Sequence, residues 1–287
     1  MSKKITILGC GYLGKALAEA SLAMNWEVSA FTRNEITAKD LRGAGVHHVV
    51  VGRLEDQAWH SKLSFEQDYI VNCVGAAAPN LDGYRQSYLG GLRSINKWLE
   101  HDRRCTFIFT SSTSVYPQNQ GEVVDETFSN SGVSERGKIL LEAEEECLAL
   151  NAEKRRSFVL RLAGLYGPGR HLFIDKVKRG EIMSGRGSRI LNLIHRDDAV
   201  RAMIQVLKQT NSTEGKIYNV SDNEWAKRRE IVDWIAGALS LPKVAFDDQE
   251  SMGAPNRKVS SDRIRKETGW SPFYSSFQKA YQEMLAS

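Results

Sequence analysis

Six residues near the N-terminus have the types and spacing to do chemistry. Gly9-Cys10-Gly11-Tyr12-Leu13-Gly14 follows the apolar run Ile5-Thr6-Ile7-Leu8 and precedes Lys15-Ala16-Leu17-Ala18-Glu19-Ala20, a helix-forming stretch. Strand, G-x-G-x-x-G, then helix is the context in which those glycines have a physical task. Gly9 makes the tight turn, Gly11 lets a pyrophosphate approach the backbone, and Gly14 lets the helix pack close on the strand. Free N–H groups and the positive dipole end of the helix then face the anion. The motif predicts a dinucleotide site touched by Gly9, Gly11, Tyr12, Leu13 and Gly14. A glycine-rich loop with no ligand is the plainer alternative.

The end of the second strand chooses between dinucleotides. An Asp or Glu there accepts hydrogen bonds from a free ribose 2′-hydroxyl, whereas an Arg accommodates the 2′-phosphate of NADP. Thr32-Arg33-Asn34 puts no acid at the strand tip. The planar fork of Arg33 suits a phosphate. NADP is therefore expected, with NAD left open by Glu35 close by.

Other reactive residues are less pointed. Cys10, Cys73, Cys105 and Cys147 show no CxxC or metal-ligand spacing. They read as free thiols of a reducing cytosol, and no metal site is expected. His195 stands alone in Ile194-His195-Arg196-Asp197-Asp198 and reads as structural, while Asp197 and Asp198 open a helix, where their charge is favoured. Arg170, Lys176, Arg186 and Arg189 would suit an anionic substrate such as a nucleotide diphosphate, or plain soluble surface.

The elements that must position these residues alternate. Strands are expected over 26–31, 46–51, 68–74, 105–110 and 158–162, with helices over 35–44, 84–99 and 134–150. Short continuous apolar strands between helices argue for a parallel sheet covered on both faces, an α/β doubly wound fold. Beyond Leu162 the pattern loosens around Gly164, Gly167, Pro168, Gly169, Gly180, Gly185 and Gly187. Strands near 190–194 and 216–220 and helices near 197–207, 229–239 and 275–285 follow. The expected organisation is a Rossmann domain over 1–163, to which 190–222 returns, and a smaller C-terminal substrate lobe over 164–287.

A net charge of +4 on 287 residues does not suggest a nucleic-acid partner. The basic clusters Arg103-Arg104 and Lys154-Arg155-Arg156 are expected on exposed helix ends or loops. No apolar run approaches the ~20 residues that span a bilayer. A strand begins almost at once, leaving no room for a signal peptide. A cytoplasmic protein with no membrane partner is expected.

Several stretches, in order and nearly end to end, resemble the extended short-chain dehydrogenase/reductase superfamily, its nucleotide-sugar epimerase and dehydratase group. They are Ile7 to Gly14, Phe107-Ile108-Phe109-Thr110-Ser111-Ser112-Thr113-Ser114-Val115-Tyr116, Arg161-Leu162-Ala163-Gly164-Leu165-Tyr166-Gly167-Pro168-Gly169, Asn192 to Ala199, Ile217-Tyr218-Asn219-Val220 and Gly269-Trp270-Ser271-Pro272. The resemblance implies a Rossmann domain with a substrate lobe and hydride transfer at a nicotinamide. It also implies a Tyr as general acid/base, its pKa lowered by a Lys four residues later on the same helix face. Ser112 matches the catalytic serine and Lys138 the lysine. Cofactor contacts are implied at Leu54, Cys73, Val74, Gly75, Lys138 and Leu165.

Where the tyrosine belongs stands Ser134, which with Glu135 reads as a helix N-cap. Two smaller departures accompany it: Arg53 after Gly52 in place of an adenine-contacting Asp, and Tyr88 in place of an Asn. The chain resembles the atypical branch of the superfamily that lacks the tyrosine. Tyr88 and Tyr116 are the stand-ins to weigh, with Tyr166 behind them. The leading reading is an NADP-dependent oxidoreductase or epimerase/dehydratase-like enzyme acting on a small anionic substrate, in which a nucleotide sugar would fit. The alternative is a non-catalytic NADP(H) sensor. Relatives often dimerise through the helices here expected over 84–99 and 134–150, so a homodimer is a further expectation.

Overall fold

The computed structural model describes residues 2–64, 66–99, 104–152, 155–209, 215–249 and 254–286. The chain opens with β1 (Lys4–Leu8), α1 (Tyr12–Ala23), β2 (Glu27–Thr32), α2 (Glu35–Gly43), β3 (His48–Val51) and β4 (Tyr69–Asn72). Next comes a three-part helix: α3 (Leu81–Tyr84), a π-helical turn Arg85–Gly90, and α4 (Gly91–Trp98). Then follow β5 (Cys105–Ser112), β6 (Val123–Val124), α5 (Glu135–Leu148), β7 (Arg155–Leu162), β8 (Gly164–Tyr166), α6 (Ile174–Lys178) and β9 (Leu193–His195). The chain ends with α7 (Arg196–Lys208), β10 (Ile217–Val220), α8 (Arg228–Ala238), β11 (Lys258–Val259), α9 (Asp262–Thr268) and α10 (Phe277–Ala286).

Seven strands form one parallel sheet in the order β10-β7-β5-β4-β1-β2-β3. β1 pairs with β2 on one side and β4 on the other, so strand order reverses at β1. The fold is the Rossmann-like α/β fold that the alternating apolar runs imply. Its strands are nearly all buried, because helices cover both faces. One core cluster joins Phe31, Trp59, Trp98, Phe107 and Phe109 with Ile139, Ala143 and Cys147 of α5. Behind β5, Glu144 takes a bidentate pairing from Arg161 and a 2.5 Å hydrogen bond from the Ser111 hydroxyl.

The chain divides into two compact units. The first is 1–115, 133–161 and 203–218; the second is 116–132, 162–202 and 219–287. This differs from a division at 163. The stretch 116–132 joins the second unit, where β6 pairs with β11. Only 203–218 of the expected 190–222 falls in the first unit, since β9 pairs with β8 in the second. Two-residue pairings leave too little apolar pattern to read. The second unit has its own core of Tyr166, Ile174, Val177, Ile231, Ile235, Phe277 and Tyr281.

One further expectation changes. Of the basic clusters, Arg103 and Lys154 lie outside the described residues, and Arg104 is exposed. Arg155 and Arg156, however, begin β7 rather than end a helix. Their guanidinium groups reach the carbonyls of Leu99 and Gln209, so the chain can place them half-buried. In α5 the apolar side packs inward, and Arg93 of α4 bridges Glu142 and Glu146 on the outside. On α5, Leu140, Ala143 and Cys147 are buried within the first unit, while Leu141 and Leu148 are half-buried. No helix among the described residues is long and apolar enough to cross a membrane.

Candidate functional site

A cavity of about 320 Å³ opens in the first unit at the carboxyl ends of its strands. Four connections line it: Gly9, Cys10 and Gly11 after β1, Thr32 to Asn34 after β2, Gly52 to Glu55 after β3, and Cys73 to Ala77 after β4. Phe31, Thr37, Gln86 and Ser87 complete the wall. In an open parallel sheet this crevice, at the strand-order reversal, is where ligands bind.

The glycine turn is built as its sequence demands. Gly9 adopts φ +93°, and a Cβ there would lie 2.6–2.9 Å from Val74 and Cys73. A Cβ on Gly14 would sit 2.4 Å from the Gly9 carbonyl oxygen, so only glycine lets α1 approach β1 this closely. At Gly11 and Gly75 a Cβ would meet nothing within 4 Å; both face open cavity. α1 has no side-chain cap and no acid in its first turn. Its first N–H groups therefore keep their capacity for an anion. A dinucleotide fits this cradle.

The structure brings together Gly9, Gly11, Thr32, Arg33, Leu54, Cys73, Val74 and Gly75 around the cavity. Tyr12, Leu13 and Gly14 form the first turn of α1, outside the lining. Leu165 belongs to β8 in the second unit. Asn34, Thr37, Arg53, Glu55, Gln86 and Ser87 line the cavity as well. Gly52-Arg53 carried a signal, a glycine at a strand end followed by a cation. Gln86 and Ser87 carried none, because their placement depends on the π turn.

That turn inserts one residue per repeat into a helix, a distortion frequent at functional sites. Here it is held by the loop after β4: the Ser87 hydroxyl accepts from the Ala77 N–H at 2.8 Å, and the Ala76 N–H bonds the Tyr88 hydroxyl. Tyr88 is half-buried against Tyr84 and Phe109, and burial pushes its phenol up. On the floor, burial raises Cys10 to about 12 and Cys73 further, so both thiols stay protonated. The four cysteines are free. Among the described residues no cluster could hold a metal ion.

The residues matched by resemblance fare differently. Ser134 caps α5, its hydroxyl accepting from the Gly137 N–H at 3.3 Å. Lys138 is exposed and bonds Glu135 at 2.6 Å. The Ser112 hydroxyl accepts from the Ser114 N–H at 3.1 Å. Tyr116 lies in the second unit, fully buried, and its hydroxyl donates to Asn219 at 2.9 Å. Tyr166 is likewise sealed in the second core, stacked on Tyr281. His195 is buried between Tyr166 and Tyr274, its Nδ1 accepting from the Asp197 N–H, which accords with a structural role. Asp198, fully buried, accepts from the N–H groups of Phe273 and Tyr274.

Fold and cavity together define a Rossmann-type dinucleotide-binding protein. The profile of the NAD dependent epimerase/dehydratase family matches residues 5–221, and the chain belongs to that family of NAD(P)-dependent enzymes. Protein YeeZ of Escherichia coli (strain K12) is 28% identical over 275 residues, covering 93% of this chain and 95% of the relative. The 2-alkyl-3-oxoalkanoate reductase of Stenotrophomonas maltophilia (strain K279a) is 23% identical over 251 residues, covering 82% of this chain and 75% of its own. The fold also matches UDP-glucuronic acid 4-epimerase from Bacillus cereus, solved with UDP-glucuronic acid and NAD. That match has a TM-score of 0.84 at 17% identity and covers 99% of each chain.

Proposed function

We propose that the protein is an NADP-preferring oxidoreductase or epimerase-like enzyme that acts on a carbonyl or hydroxyl of a small anionic substrate. The carrying observation is the charge around the end of β2. Arg33 and Arg53 both line the cavity there beside Thr32, Asn34 and Thr37, and no carboxylate occupies the strand tip. Two planar guanidinium groups suit a 2′-phosphate and cannot accept the hydrogen bonds that an acid would accept from the free ribose hydroxyls. The lining's one acid among the described residues, Glu55, is engaged by Gln86.

The anionic substrate is supported by the second unit. Arg257 is buried beside Arg189, and burial together with that neighbouring charge lowers it to about 10. Two cations held close favour an anion near them. Relatives point the same way, one named for a reductase of 2-alkyl-3-oxoalkanoates and one solved with UDP-glucuronic acid.

A nicotinamide bound there would supply or accept the hydride. In this proposal Ser112 would orient the reacting oxygen and Lys138 would hold the cofactor, the roles the resemblance implies. With Ser134 committed to capping α5, this reading gives proton donation to Tyr88, whose raised phenol keeps its proton near neutrality and whose hydroxyl accepts from the Ala76 N–H.

Fluorescence titration with NADPH and NADH tests the cofactor assignment. Arg33→Ala should weaken NADPH roughly 10- to 100-fold and leave NADH within about 3-fold, the loss of one charge-assisted contact. An equal loss on both cofactors would sink it. Once a substrate is found, Tyr88→Phe should lower kcat about 10²- to 10⁴-fold with NADPH affinity unchanged. Undiminished turnover would remove Tyr88.

A further inference from the structure

The first turn of α5 carries a cation that the helix itself does not use. Arg136 follows the Ser134 cap and Glu135, at the end where the helix dipole is positive and a guanidinium gains nothing from it. Glu135 is already paired with Lys138 at 2.6 Å. The Arg136 side chain is exposed and reaches out of α5: its guanidinium donates to the Pro79 carbonyl and lies 5.5 Å over the ring of Tyr84. Both partners lie in other elements of the first unit, the connection after β4 and α3.

That connection, 75–80, is fastened residue by residue. The Ala76 N–H bonds the Tyr88 hydroxyl, and the Ala77 N–H donates to the Ser87 hydroxyl at 2.8 Å. A Cβ on Gly83 would lie 2.6 Å from the nitrogen and the oxygen of Ala78, so α3 rests on the backbone there. Asn80 caps α3, its side chain accepting from the Gly83 N–H at 2.8 Å. These fastenings tie the connection to the helix it enters and would move with it. Arg136 adds a hold from a different element, α5. Tyr84 packs 5.3 Å from Tyr88, which stands edge-on to Phe109 of β5. A grip on Pro79 and Tyr84 therefore steadies Tyr88 twice, through the loop bonded to its hydroxyl and through the ring packed against it.

This inference rests on the reading of Tyr88 as proton donor. We propose that Arg136 is a positioning residue for that phenol: it sets the 75–80 connection and the π turn against the first turn of α5, and so keeps the Ala76 N–H on the Tyr88 oxygen. Where the resemblance expects α5 to supply an acid at position 134, α5 supplies a cap at 134 and a strut at 136, and the phenol comes from the π turn. A guanidinium suits this task, because its plane covers an aromatic ring while its edge N–H groups donate to a carbonyl. A lysine ammonium can make the second contact without lying flat on the ring. An N–H held on a phenol oxygen favours the ionised form. Loss of the strut therefore makes Tyr88 harder to ionise.

The experiment reads that phenol on the ligand-free full chain by fluorine NMR. 3-Fluorotyrosine replaces all nine tyrosines, and the signal missing from Tyr88→Phe is that of Tyr88. The ring fluorine acidifies the phenol, so its titration is reached before alkali unfolds the chain. Arg136→Ala should raise the Tyr88 midpoint by about half a pH unit or more, roughly threefold in acid constant. Tyr84 should be the other signal that moves, and circular dichroism melts should match wild type, since the side chain is exposed. Arg136→Lys should show less than half of the shift. An unchanged Tyr88 midpoint in folded Arg136→Ala overturns the positioning role and leaves the proton-donor reading standing. A shift shared equally by all nine signals overturns it too, because it marks a loosened fold. If Tyr88 of the wild type ionises below free 3-fluorotyrosine, the proton-donor reading itself falls and this inference with it.

Discussion

The three glycines of the first turn do different physical work, and substitution separates their roles. A methyl on Gly14 would meet the Gly9 carbonyl oxygen at 2.4 Å, a backbone atom that moves only if α1 shifts off β1. Gly14→Ala should destabilise the fold by about 1–3 kcal/mol, the usual range for forcing extra volume into close packing. Gly11 meets nothing, so Gly11→Ala should leave the melting temperature of the ligand-free protein unchanged. Its methyl would project where a pyrophosphate must approach the backbone, and NADPH affinity should fall at least 10-fold. Thermal melts with and without NADPH check both. A Gly11→Ala protein that binds normally would move the pyrophosphate elsewhere. Arg33 and Arg53 are the other residues whose type is the message, since no acid stands at the end of β2 to compete with them.

Elements show why some of this was legible and some not. β1, β2, β4, β5 and α5 announced themselves through continuous apolar runs or a capped amphipathic pattern, and each lies within a few residues of its expected span. Ser134-Glu135 is the clearest case, because a cap is a local interaction between a side chain and the next turn. The π turn at Arg85–Gly90 falls where the sequence pattern predicts ordinary helix: its extra residue is set by bonds to Ala76 and Ala77, which no local pattern encodes. Gln86 and Ser87 stayed hidden for that reason, as did the pairing of β6 with a strand more than a hundred residues away. The π turn should therefore be sensitive to its tether. Ser87→Ala removes the acceptor of the N–H of exposed Ala77 and should cost about 0.5–1.5 kcal/mol, with a several-fold loss of NADPH affinity. Ser134→Ala should cost about 1 kcal/mol with NADPH affinity unchanged. Denaturant midpoints and NADPH titration distinguish the two outcomes; a Ser134→Ala protein with impaired binding would return position 134 to the cofactor site.

Across the chain, the ionisable groups buried in the second unit set how stability depends on pH. Asp222 is almost fully buried and is raised from 3.8 to about 8, chiefly by desolvation. The neighbouring Glu224 and Asp198 add to the rise, while the Glu224 N–H and Arg265 oppose it. The folded chain thus holds this proton more tightly than the unfolded one. The stability it contributes is complete below the ordinary carboxylate pKa and is lost as pH rises toward about 8, with a slope near 1.4 kcal/mol per pH unit at most. His195 acts at the other end. Burial lowers its pKa, so its contribution is present above 6.5 and is lost as pH falls through the lowered value. Asp222→Asn keeps the shape and the neutral charge of the protonated carboxyl. It should flatten the decline between pH 5 and 8 and leave the acid limb, to which His195 contributes, in place. Urea midpoints measured at half-unit steps from pH 4 to 9 decide it: a variant whose alkaline decline parallels wild type would place the responsible proton on another group.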